Sequence, residues 1–290
     1  MQKYSVNPQY PFTFIRTCYA VRSLQKTYPQ IIKMIKGGCS EQGRDVLLLK
    51  LGKGERKVLV TAAIHGREYV TTGFLLKTLE LYAQCFCRNI SIECVSIRNL
   101  LDEFSFYIIP QCNPDSVEIS LRRAKPSVKI ENFIPYCYKD NARGVNLNAN
   151  FPYLWEYVPK ERNGGEYSAS EKETRFLMNV CRKYEFEKMI SLHTRGGCVY
   201  WRDKGNGEIS GDKEFAHKLS DLCKLNLCKE TEDIKAYSGG FENWFRYEFK
   251  RPAVCVELVN DEDALFDLCC RDFYTYTDWQ NTKNILLTVE

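Results

Sequence analysis

Val58–Tyr82 reads VLVTAAIHGREYVTTGFLLKTLELY. Its first seven residues, Val58–Ile64, are mostly apolar and rich in small and β-branched side chains, as in a strand covered on both faces. From Val70 the apolar positions return at helical spacing and predict a helix to Phe86. A strand feeding a helix through a five-residue turn is the first half of a β–α–β unit. That turn holds His65 and Glu68, two groups suited to metal or acid–base chemistry, at the carboxyl end of the strand.

The same alternation extends along the chain. Further strands are expected at Val46–Leu51, Phe104–Ile109, Met189–Leu192 and Ala253–Leu258, each short, apolar and bounded by turn or polar residues. Further helices are expected at Ser23–Ile35, Ser170–Tyr184, Asp212–Leu225, Gly240–Phe249 and Asp272–Thr288. Ser170 and Glu173 have capping-box spacing at the start of SEKETRFLMNVC. These elements predict an α/β fold, a mixed and mostly parallel central sheet with helices on both faces. In such sheets ligands bind beyond the carboxyl ends of the strands. His193 follows one predicted strand, and Glu257 stands near the end of another. The fold thus offers a way to bring them to His65 and Glu68.

No repeat, low-complexity tract or long Pro/Gly/Ser linker divides the 290 residues. A net charge of +4, with acidic residues interleaved throughout, makes no basic stripe for nucleic acid. No segment approaches the roughly 18 apolar residues of a membrane span, and the N-terminus lacks the pattern of a signal peptide. The 14 cysteines lie within strand-like and helix-like runs, such as Cys255 and Cys181, and none forms a Cys-x-x-Cys pair. They read as small reduced core residues in a cytoplasmic protein, with export by another route left open.

With only 3 histidines, each is informative. His217 sits among charges on an amphipathic helix and reads as a surface residue. Catalytic zinc takes three protein ligands, often histidines and a carboxylate, and leaves one position open. His65 and Glu68 supply two from one turn, and His193 supplies a third from another strand end. A lone His-x-x-Glu pair also arises by chance at helix starts, where a glutamate favours the dipole. His193 and Glu257 are what raise this pair above that background.

The phrases HGREYV, NPDSV, RGVNLNANFP, SLHTRGG, SGGFENWF and PAVCVELV occur in the order, and near the spacing, of the zinc metallocarboxypeptidases. The chain resembles that family from about Cys18 onward. NARGVNLNANFP before a tryptophan, together with HTRGGCVYW, is most similar to bacterial γ-D-glutamyl-meso-diaminopimelate peptidases. The resemblance implies one zinc ion on His65, Glu68 and His193. It implies that Glu257 takes a proton from the attacking water and passes it to the leaving nitrogen. Lys139 matches a carbonyl-polarising cation, with Arg143 close by, and Asn148 matches an amide that helps bind a terminal carboxylate.

Three positions depart from the family pattern. Ala149 stands where digestive carboxypeptidases carry the arginine that clamps a C-terminal carboxylate, so Arg195, beside His193, is a candidate for the cation. Asn146 replaces an aspartate that orients the first zinc histidine. Lys235 occupies the place of a mobile tyrosine, and Tyr237 follows two residues later. The resulting expectation is one zinc peptidase domain over 1–290, with a short extension at about 1–17. Its substrate would be a small peptide or muropeptide cut at a γ-D-glutamyl-diaminopimelate bond, with no nucleic-acid or membrane partner and an unknown oligomeric state. A carboxypeptidase or deacylase of other specificity, or a non-catalytic peptide-binding descendant, are the alternatives. Aromatic residues including Tyr138, Tyr153, Tyr200, Trp201 and Phe241 are candidates for lining the cleft, about half of them expected to pack in the core.

Overall fold

A computed structural model describes residues 6–202, 205, 207–233, 235–258 and 273–290. Its strands are β1 (Ile32–Cys39), β2 (Asp45–Gly52), β3 (Arg56–Ala62), β4 (Ser91–Ile92), β5 (Val95–Ser96), β6 (Phe104–Ile109), β7 (Lys188–His193), β8 (Cys198–Tyr200), β9 (Asn226–Leu227) and β10 (Ala253–Glu257). The helices are α1 (Phe14–Thr27), α2 (Val70–Arg88), α3 (Ile97–Glu103), α4 (Pro114–Ser120), α5 (Lys172–Tyr184), α6 (Asp212–Cys223), α7 (Phe241–Phe249), α8 (Phe273–Tyr276) and α9 (Trp279–Thr282).

Eight strands form one mixed sheet in the order β1-β2-β6-β3-β7-β10-β8-β9. Strands β6, β3, β7 and β10 are mutually parallel at its centre, while β1, β2 and β8 join antiparallel. The predicted mixed, mostly parallel sheet is therefore present. Along β3 the side chains alternate, with Val58, Val60 and Ala62 facing α1, α2, α3 and α6, and Leu59 facing α5 and α7. Burying each such valine or leucine contributes roughly 1.5–3 kcal/mol. Helix α2 is covered nearly all round, with sixteen of its nineteen residues buried, and stops where Asn89 turns left-handed at φ 54°.

The predicted strands at Val46–Leu51, Val58–Ile64, Phe104–Ile109, Met189–Leu192 and Ala253–Leu258 coincide with β2, β3, β6, β7 and β10 to within two residues at each end. Three other expectations need correction. The predicted helix Ser23–Ile35 is instead the end of α1 followed by edge strand β1. Pro29 disfavours helix at Tyr28, and the next residues find partners along β2. No capping box forms at Ser170, whose hydroxyl bonds Glu171 (2.7 Å), and α5 starts at Lys172. The predicted helix Asp272–Thr288 begins outside the described residues. It is otherwise divided into α8, α9 and a 3₁₀ segment Lys283–Val289, with Asp278 left-handed at φ 46° between the first two.

Freed from capping, Glu173 accepts the Glu41 N–H (3.0 Å) through one oxygen, while its other oxygen is buried without a partner among the described residues. Burial, with nearby Asp115 and Glu41 adding to it, pushes its carboxyl up to about 7. A raised acid stabilises the fold only while protonated. That contribution is intact below about pH 4.5, declines as pH rises and is lost past about pH 7. Glu173→Gln is therefore expected to gain roughly 2–3 kcal/mol over wild type between pH 5 and pH 8 in urea unfolding. Equal pH slopes for the two proteins would contradict this.

Candidate metal and acid–base site

Parallel pairing of β3, β7 and β10 brings three carboxyl ends side by side, with Ala62 opposite Leu192 and His193 opposite Glu257. After β3 the chain turns sharply through Ala63, held left-handed at φ 51°. Its N–H donates to the Thr71 hydroxyl (3.0 Å), which in turn donates to the Glu68 carbonyl (2.7 Å), so the turn and the start of α2 are tied together. Asn113 caps α4 and also donates to the Ile64 carbonyl (3.2 Å), giving the NPDSV phrase a structural role. A side chain at Gly66 would collide with the Ser116 backbone, so close packing of α4 against the turn requires glycine there.

This scaffold brings His65, Glu68 and His193 together, with their donor atoms all within 4.8 Å of one another. Glu68 Oε1 lies 2.9 Å from His65 Nδ1, and Oε2 lies 3.1 Å from His193 Nδ1. Burial alone would raise the Glu68 carboxyl, but the two imidazoles hold it well below the usual range. Two donors about 2.1 Å from a common tetrahedral zinc lie about 3.4 Å apart. The nitrogen–oxygen–nitrogen set, with both histidines presenting Nδ1, fits a zinc ion with two histidine ligands and one carboxylate.

The outward nitrogens are also engaged. His65 Nε2 lies 3.2 Å from the Asn146 amide oxygen, which also accepts the Asn148 N–H (3.0 Å). His193 Nε2 lies 3.2 Å from Glu242 Oε1 at the start of α7. Burial opposes charge on His193, yet Glu68 and Glu242 raise its pKa well above the ordinary value. Glu242 in turn stays ionised against its burial through His193. Glu242 had no role in the sequence reading. Its one signal was an acidic residue in the first turn after Gly239-Gly240.

Glu257 faces the same space. Its Oε2 is buried without a hydrogen-bond partner among the described residues, and burial pushes its carboxyl up to about 8, against the pull of His193. A cavity of about 270 Å³ opens here, lined by His65, His193, Glu257 and Glu242 together with Asn148, Arg162, Arg202 and Tyr237. Among the aromatic candidates Tyr200 and Trp201 line it, whereas Tyr138, Tyr153 and Phe241 are buried in hydrophobic clusters. Lys235 sets its ammonium 4.0 Å over the Tyr157 ring, while Tyr237 faces the cavity. Lys139 lines a separate, shallower cavity with Arg67, and Arg143 pairs with Glu171 (3.5 Å). Arg195 is not among the residues lining the main cavity.

Residues 18–278 match the zinc carboxypeptidase family. The chain is 23% identical to the γ-D-glutamyl-L-diamino acid endopeptidase 1 of Lysinibacillus sphaericus, over 90% of this chain and 68% of that protein. It spans 65% of another bacterial relative, about two thirds of each protein's length. In three dimensions it resembles bovine thrombin-activatable fibrinolysis inhibitor in complex with a tick carboxypeptidase inhibitor. The TM-score is 0.76 at 17% identity, with 97% of each chain covered. It also resembles the murein-tripeptide amidase MpaA of Escherichia coli O157, with a TM-score of 0.53 at 17% identity, covering 90% of this chain and 95% of that one.

Partners on the outward nitrogen fix a metal histidine's tautomer and direction, and losing one weakens metal binding by about 10–100-fold. Glu242→Gln is expected to lower zinc affinity about tenfold in competition with a chromogenic chelator, and Asn146→Asp to raise it. Unchanged affinity in both variants would show that neither side chain orients its histidine.

Proposed function

Because the chain belongs to the zinc carboxypeptidase family, we propose that it is a zinc-dependent peptidase acting on peptidoglycan stem peptides at a γ-D-glutamyl-meso-diaminopimelate bond. The observation that supports peptidase chemistry is the Glu257 oxygen, without a partner among the described residues, in one cavity with His65 and His193 of the His65–Glu68–His193 donor set. The substrate class draws on the resemblance of the NARGVNLNANFP and HTRGGCVYW phrases, and on the names of the Lysinibacillus endopeptidase and the Escherichia amidase.

His65, Glu68 and His193 would hold the metal, which when bound supplies a Lewis acid for the scissile carbonyl and the attacking water. Glu257 accepts the water's proton at Oε2 and later gives it to the departing nitrogen. A carboxyl raised by burial is a stronger base than one in water. Asn146 and Glu242 keep the two imidazoles directed at the metal. Lys139 and Arg67, which line a second cavity, are candidates for a cation beside the acyl portion of the substrate.

The test is hydrolysis of L-alanyl-γ-D-glutamyl-meso-diaminopimelate by zinc-loaded protein, with the released diaminopimelate followed by mass spectrometry. Glu257→Gln should retain one zinc per chain and lose at least 100-fold in kcat. Full activity in that variant would remove Glu257 from the chemistry. An inactive wild type with bound zinc would direct the search to other amides, such as carboxypeptidase or deacylase substrates.

A further inference from the structure

Two arginines line the main cavity, and their surroundings differ. Arg202 is neutralised by Glu208 (3.3 Å) and Glu230 (2.5 Å). Arg162 makes no ion pair among the described residues. Its two terminal nitrogens donate instead to backbone carbonyls, Nη2 to Asn148 (2.8 Å) and Nη1 to Ala236 (3.3 Å). Burial disfavours the charged guanidinium, and Glu242 is the acidic group that supports it. An arginine held by two neutral carbonyls at the wall of a cavity retains its full charge for an incoming anion.

The group beside it is a complementary donor. Asn148 uses its side-chain oxygen to accept the Phe241 N–H (2.7 Å), which among the described residues leaves its NH₂ for a ligand. Ala149 is fully buried and contributes no charge. The turn carrying Arg162 is fixed nearby, because Asn146 donates to the Asn163 carbonyl (3.0 Å) and the Trp155 indole to Gly164 (2.9 Å). Glu257, which hands its proton to the leaving nitrogen, lines the same cavity, so the released residue occupies it.

We propose that Arg162, together with the Asn148 amide, binds a carboxylate on the leaving residue of the substrate, supplying from another loop the cation that position 149 lacks. This rests on the peptidase reading above, and it assigns the carboxylate subsite to a different residue from the Arg195 of the sequence analysis.

Wild type, Arg162→Gln and Arg162→Lys are compared on the diaminopimelate tripeptide and on the same peptide with the carboxylate next to the scissile nitrogen amidated. The expected result is a wild-type preference in kcat/KM for the free carboxylate. That preference falls on the order of 30-fold in Arg162→Gln, mainly through KM, with partial recovery in Arg162→Lys. If both substrates lose equally in Arg162→Gln, alongside a lowered Tm, Arg162 only ties the Asn148 and Ala236 loops and the proposal is overturned. Should wild type cleave neither peptide, the substrate reading fails, and calorimetric binding of meso-diaminopimelate decides on Arg162. Binding by wild type that is lost in Arg162→Gln then supports the subsite, and equal or absent binding overturns it.

Discussion

The Glu68 carboxylate, only 3% exposed, lies between two imidazoles that approach it from different strands. A buried carboxylate without such partners would protonate or destabilise the fold. Its neighbours therefore have to arrive from both sides, and that constraint reaches through the sheet. His65 depends on the left-handed turn after β3, and His193 on the last position of β7. The two strands pair in parallel with Ala62 opposite Leu192. A one-residue slip in that pairing would turn His193 to the opposite face and expose the valines of β3 to the wrong layer. Sheet register and site geometry are one requirement.

That coupling explains which features were readable from the chain alone. Strands β3, β6, β7 and β10 lie at the centre, covered on both faces, and so appear as apolar runs; β2 beside them reads in the same way. Edge strands β1 and β9 and the three-residue β8 do not, because exposure and brevity dilute the pattern. At Ser23–Ile35 the apolar spacing suited a helix, but pairing with β2 overrode it. His65, Glu68, His193 and Glu257 were legible because they stand at or near strand ends, where topology alone predicts convergence. Glu242 and Arg162 come from a helix start and an irregular loop. What places them is tertiary: Phe151 stacks on Phe241 at 4.5 Å, and the Gly239 and Gly164 backbones close on the Ala149 carbonyl. No periodicity in the chain encodes those approaches.

The charge around the two histidines is unequal. His65 meets the neutral amide of Asn146, whereas His193 meets the carboxylate of Glu242. A carboxylate on the outer nitrogen makes the inner one a stronger donor than an amide does. The anionic support of this donor set is thus concentrated on the histidine from β7, and α7 becomes part of its surroundings. Helix α7 packs on β7 and β10 through Phe241, Trp244 and Phe245. Its docking consequently aligns Glu242 with His193, and places the Phe241 N–H that turns the Asn148 amide.

The wall behind Glu257 completes this division of charge. Cys255 Sγ lies 4.0 Å from Glu257 Oε1, and Cys198 is the residue opposite Glu257 across the β10–β8 pair. Burial raises the pKa of both thiols, Cys255 well above its ordinary value and Cys198 to about 12, so both are neutral at physiological pH. A neutral thiol excludes water much as a small apolar side chain does, and adds no cation that would stabilise the carboxylate. An arginine or lysine at either place would favour the ionised form of Glu257. With thiols there, burial raises the Glu257 carboxyl, Glu68 and Glu242 add to it, and His193 and Arg67 draw it down. The cysteines at these two strand positions thus shape the surroundings of Glu257, and Cys255 Sγ, His193 and Glu257 also form a second set of donor atoms within 4.8 Å of one another.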